Sequence, residues 1–92
     1  MSLDWKFSKM TKVNLYFING RCLKNDFLAF SGVRGLAAQS GGFRSVSGHR
    51  NVHTLGRAKV AFYFRSHTKA RAFAREVNRR FSDKMEARVV RG

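Results

Sequence analysis

The sequence predicts an α+β domain with elements in the order β-α-β-β-α-β. Two observations carry this. The C-terminal part reads as strand, helix and strand, each with its own apolar period, over 57–64, 65–82 and 84–91. A second period-two segment, Thr11–Ile18, lies near the N-terminus and is followed by a glycine-punctuated stretch with weaker helical spacing.

In chain order, residues 1–11 form a lead-in or arm, where Trp5 and Phe7 alternate with Lys6. Thr11–Ile18 places Val13, Leu15 and Phe17 on one strand face and Asn14, Tyr16 and Ile18 on the other. Asn19-Gly20 is a turn signal. The residues after it are short and polar, so a strand running into a loop is expected rather than a hairpin. Asp26–Gln39 is expected to be helical, capped by Asn25 or Asp26, with Phe27, Phe30 and Leu36–Ala38 on the buried side. Ser31, Gly32 and Gly35 weaken that helix. Ser40-Gly41-Gly42 breaks the chain, Phe43–His49 reads as the second strand, and Gly48–Gly56 as a basic loop.

Arg57–Phe64 is the strongest strand. Ala58, Val60, Phe62 and Phe64 share one face, and Arg57, Lys59, Ala61 and Tyr63 the other. Ser66 is a candidate N-cap for a helix whose buried stripe is Ala70, Phe73, Ala74, Val77 and Phe81. Arg71, Arg75 and Arg79 fall four apart on another side of it. Met85–Val90 supplies the last strand. Two interlocked βαβ-type units of this kind make the ferredoxin-like arrangement over 12–92: a four-stranded antiparallel sheet with two helices on one face and the other face open.

Composition narrows the function. The chain has 92 residues, 43% of them hydrophobic, with nine Phe, so one small core is within reach. A net charge of +14 repels itself in a compact domain and calls for a polyanionic partner. No acidic residue occurs between Asp26 and Glu76, while Arg34, Arg44, Arg50, Arg57, Lys59, Arg65, Lys69, Arg71 and Arg75 all do. The single cysteine, Cys22, excludes an intramolecular disulfide and reads as a small core residue. That fits a reducing, intracellular setting, cytoplasmic or nucleic-acid-associated. No apolar run approaches the roughly 18 residues of a membrane span, so no membrane partner is expected.

No catalytic or cofactor motif emerges. Asp4, Asp26, Glu76, Asp83 and Glu86 are scattered, and Cys22, His49 and His53 lack zinc spacing. The glycines form no phosphate loop. One enzymatic reading uses His49 or His53 in the basic loop as an acid or base. An exposed loop histidine is far more often inert, and the expectation is a non-enzymatic protein without metal or cofactor.

Leu15-Tyr16-Phe17-Ile18-Asn19-Gly20 and Arg57-Ala58-Lys59-Val60-Ala61-Phe62-Tyr63-Phe64 resemble the hexamer and octamer strands of an RNA recognition motif. The helix with Ala70, Phe73, Ala74 and Val77 is similar to that family's second helix, and the resemblance covers Lys12–Arg91. The family's octamer has Gly second and aromatics third and fifth. Here Ala58, Lys59 and Ala61 stand at those places. The resemblance implies an open sheet face carrying Asn14, Tyr16, Ile18, Arg57, Lys59, Ala61 and Tyr63.

The expectation is a small basic nucleic-acid-binding domain, RNA favoured over DNA. Arg44, Arg50, Arg57, Lys59, Arg71, Arg75 and Arg79 would contact phosphates, while Tyr16 and Tyr63 would stack on bases. Structural roles for the two tyrosines, and a merely solvated face for the helix arginines, remain open. The alternative is a protein-binding inhibitor or adaptor docking on an acidic or nucleic-acid-binding surface of a partner.

Overall fold

The computed structural model describes residues 10–41, 43–44 and 54–90. They form an α+β structure in which two helices cover an antiparallel sheet. The strands are β1 (Thr11–Phe17), β2 (Phe43–Arg44), β3 (Lys59–Phe64) and β4 (Met85–Val90); the helices are α1 (Phe27–Gln39) and α2 (His67–Arg80). Three long strands carry the sheet. β1 lies between β3 and β4, antiparallel to both, with Leu15 opposite Val60 on one side and Ala87 on the other. β2 adds a two-residue pairing on the outer edge of β3, Phe43 opposite Tyr63 and Arg44 opposite Phe62. The strand expected over Phe43–His49 is described only for those two residues. The arm with Trp5 and the loop residues His49, Arg50 and His53 lie outside the described residues.

Alternation along the strands builds the core. Val13, Leu15 and Phe17 from β1, Val60, Phe62 and Phe64 from β3, and Met85 and Ala87 from β4 are all buried in one cluster with residues of both helices. The aromatic rings show how the layers lock. Phe30 of α1 lies 6.0 Å from Phe17 and 6.3 Å from Phe62, and Phe73 of α2 lies 5.5 Å from Phe62 and 5.0 Å from Phe64. Both helices therefore meet the same sheet face.

Local signals explain most element ends. Ser66 Oγ accepts from Lys69 N at 3.2 Å, capping α2. The Asn19-Gly20 turn closes with Gly20 N donating to Phe17 O at 2.9 Å, and Gly20 has φ of 85°, a conformation that favours glycine. No strand follows; the chain runs into a short 3-10 turn, Lys24–Asp26.

Asp26 departs from its expected role. Its carboxylate does not cap α1. Asp26 is buried, and its Oδ2 accepts from Leu23 N at 2.8 Å, closing the 3-10 turn. The start of β3 is also later than the alternation suggests. Arg57 O accepts from Cys22 N, and Gly56 N donates to Cys22 O, both at 2.8 Å. Those bonds hold residues 56–57 against the loop and delay the ladder until Lys59. Cys22 is buried there, and burial, with Asp26 nearby, pushes its thiol pKa up.

Gly32 weakens α1 in isolation, yet packing accounts for it. A Cβ at this position would stand 3.0 Å from Phe81 Cζ, so glycine lets the α2 C-terminus approach.

β4 is an edge strand whose backbone is partly occupied. Asn78 of α2 donates Nδ2 to Ala87 O at 3.0 Å and accepts from Ala87 N at Oδ1 at 2.8 Å. Asn78→Ala should lower stability by about 1–2 kcal/mol, since two hydrogen bonds are lost and an edge is uncovered. Urea denaturation checks this, and an unchanged midpoint would show that the amide contributes nothing to holding β4.

Candidate nucleic-acid interface

The same alternation that builds the core sends every second strand residue to the face away from the helices. On β1 these positions are Lys12, Asn14 and Tyr16; on β3, Lys59, Ala61 and Tyr63; on β4, Glu86, Arg88 and Val90. The registers bring them into rows. Tyr63, Lys12 and Val90 form one, Ala61, Asn14 and Arg88 the next, and Lys59, Tyr16 and Glu86 the third. Ala61 is the smallest side chain among these positions. A cleft of ≈ 260 Å³ opens there, lined by Lys12, Asn14, Arg57, Lys59, Ala61 and Tyr63.

The cleft is cationic. Lys12, Arg57 and Lys59 line it, and the acid of the third row, Glu86, is bound by Arg88 at 3.1 Å. The Arg88 guanidinium also stands 5.3 Å from the centre of the Tyr16 ring, a cation–π contact. Tyr16 is thus no bare stacking platform, because the chain's own guanidinium lies against it. Asn14 is the unusual member: only 6% exposed on a sheet face that no helix among the described residues covers. Its Nδ2 donates to Tyr16 Oη at 3.4 Å, and its Oδ1 is buried with no hydrogen-bond partner. Such an orphaned acceptor costs about 1–3 kcal/mol.

The expected site residues divide between two sides of the molecule. Tyr16, Lys59 and Tyr63 share the open sheet face, with Arg57 at the rim just before β3. Arg71, Arg75 and Arg79 are exposed on α2. The stripe Ala70, Phe73, Ala74 and Val77 faces the sheet core, so these arginines point outward, with the helix and sheet between them and the cleft. One ligand lying on the sheet does not reach both sets. Arg79 is moreover paired with Glu76, and Arg80 Nε stands 3.9 Å from the same carboxylate. The hydrogen bond from Arg79 lowers the pKa of the Glu76 carboxyl. The outer face keeps Arg71 and Arg75, which with Thr68 and Ala72 line a shallow depression of ≈ 180 Å³.

Ile18, expected on the open face, lies beyond the end of β1 and is exposed, its N–H donating to Lys84 O at 3.0 Å. Arg44 sits in β2 opposite Phe62, out of step with the row of Tyr63. Lys12, Asn14 and Arg88 complete the site. Their signal was present as alternation: Lys12 precedes Asn14 and Tyr16 by twos, and Arg88 falls between Glu86 and Val90. Charge counting along the chain pointed instead to the acid-free stretch between Asp26 and Glu76, which excludes both Lys12 and Arg88.

No group of three or more His, Cys, Asp or Glu among the described residues is placed to hold a metal ion. No helix among them is long and apolar enough to cross a membrane. Comparison of the chain with protein families, curated proteins and solved structures finds no match in any of the three.

Proposed function

We propose that this protein is a small, non-enzymatic nucleic-acid-binding domain of ferredoxin-like architecture, with RNA favoured over DNA. Support for the architecture comes from the strand order β2-β3-β1-β4, the order two interlocked βαβ units produce. The observation that carries the binding reading is the cleft on the open face. Lys12, Arg57 and Lys59 surround it, and Tyr63 stands beside it. Cations of this kind neutralise phosphates, and an aromatic ring beside them accepts a base in a single strand. A surface recess lined by cations suits an unpaired strand better than the regular backbone of a duplex, and RNA is favoured because its loops, bulges and ends are the usual unpaired targets of sequence-specific binding.

Three phosphate contacts, from Lys12, Arg57 and Lys59, should give log K against log[salt] a slope of about −2 for a single strand. Filter binding of an RNA oligomer across a salt series measures it, and a slope near zero would refute the reading.

The second reading is a protein-binding inhibitor or adaptor docking on an acidic or nucleic-acid-binding surface. Two observations favour it: Arg88 covers Tyr16, and Lys59 and Ala61 stand where stacking rings would serve a base. Salt does not separate the two readings, because both rest on charge. A pull-down after nuclease digestion does. Retention of a protein partner supports docking, and loss of all partners supports nucleic acid.

A further inference from the structure

We propose that the cleft between β1 and β3 is a pocket for a single nucleobase entering edge-on, selective for uracil or the equivalent edge of thymine. The proposal rests on the nucleic-acid reading above and specifies which base that surface takes. Two independent observations meet at the cleft. The first is its shape: Ala61 lies between Tyr63 and Lys59 on β3 and opposite Asn14 on β1, leaving a recess where a larger side chain would leave none. At ≈ 260 Å³ the recess falls just under the roughly 300–1,000 Å³ of pockets for drug-sized ligands, a scale that suits one base. The second is the orphaned Oδ1 of Asn14, buried at the same place with no partner.

The chemistry of the lining selects the base. Asn14 Oδ1 only accepts, so it calls for an N–H. The ammonium groups of Lys12 and Lys59 only donate, so they call for carbonyls. Lys12 is two residues from Asn14 on the same strand face, and Lys59 lies diagonally across on β3. The complement is an edge with one donor between two acceptors. Uracil presents this as its imino N–H between two carbonyls. Cytosine and adenine put a ring-nitrogen acceptor where uracil has the imino N–H, and guanine has a carbonyl on one side of its N–H only. Oδ1 is closed to solvent in the free protein, so side chains at the cleft must move when the base enters. Tyr63 supplies a ring beside the inserted base.

Fluorescence anisotropy with octamers of U, C and A, at one salt concentration, tests this on the whole chain. The wild type should bind the U octamer about tenfold more tightly than the other two, as expected for discrimination by base-edge hydrogen bonds. Asn14→Leu removes the acceptor at similar volume and should bring all three affinities within about twofold of one another, with phosphate binding kept. Ala61→Phe fills the recess and should weaken U binding about tenfold, with thermal melts confirming that each variant folds. If Ala61 instead marks a missing stacking ring, Ala61→Phe tightens binding to all three octamers alike, and the pocket is overturned. Equal affinities in the wild type, unaltered by Asn14→Leu, overturn base selection and leave nucleic-acid binding standing. No binding to any octamer overturns both.

Discussion

Lys59→Glu should weaken RNA binding by roughly thirtyfold at about 0.1 M salt, while Arg79→Glu leaves it nearly unchanged. A pair of unit charges about 4 Å apart in water is worth about 1 kcal/mol, so reversing one shifts the interaction by about 2 kcal/mol. Lys59 is exposed on the wall of the basic cleft, where such a contact forms directly. Arg79 is on the far side of α2 and already paired with Glu76. A ligand on the sheet lies more than a Debye length of about 8–10 Å away, so salt screens the substitution there. Equilibrium binding of both variants decides the question. A larger loss at Arg79 would move the interface to the helix side and exclude base stacking on the sheet.

Phe62→Ala should be the most damaging single truncation in the core. Phe62 is 1% exposed, and its ring meets Phe30 of α1 and Phe73 of α2. It therefore ties both helices to the strand beside β1. Removing a buried phenylalanine costs about 3–5 kcal/mol, through lost burial and the cavity left behind. A small domain has about 5–15 kcal/mol in total, so the variant should be partly unfolded at 37 °C. Phe62→Leu should recover most of that loss, because it keeps the site filled. A urea midpoint for Phe62→Ala within about 1 kcal/mol of wild type would mean that the helices do not depend on this ring.

The legible part of the fold is the part carried by local periodicity. β4 was readable over Met85–Val90, and Ser66 caps α2 as its side-chain chemistry suggests. Alternation in β1 and β3 separated Leu15 and Phe62 from Tyr16 and Tyr63 because strand sides follow from parity alone. What parity does not contain is contact between distant segments. The bonds from Cys22 to Gly56 and Arg57 shortened β3 from its start, and Gly32 is explained by Phe81, 49 positions away. Val33 of α1, absent from the expected buried face, is fully buried with Phe30 and Ala37 at the i, i+3, i+7 spacing of one helical stripe, so periodicity did contain it, whereas Ala38, expected on that face, is exposed.

The site divides the same way. Sequence alone determined that the protein is strongly basic, that its strands carry an apolar and a polar face, and that Lys59, Tyr63 and Tyr16 belong to the polar one. Composition and two-residue alternation are properties of the chain that no packing alters. Only the tertiary structure decided which cations act together. The sheet register placed Asn14 beside Ala61 and Arg88 and opened the cleft. The packing of α2 carried Arg71, Arg75 and Arg79 to the other side. Whether two charges share a surface depends on contacts between residues far apart in sequence, and those form only when the core does.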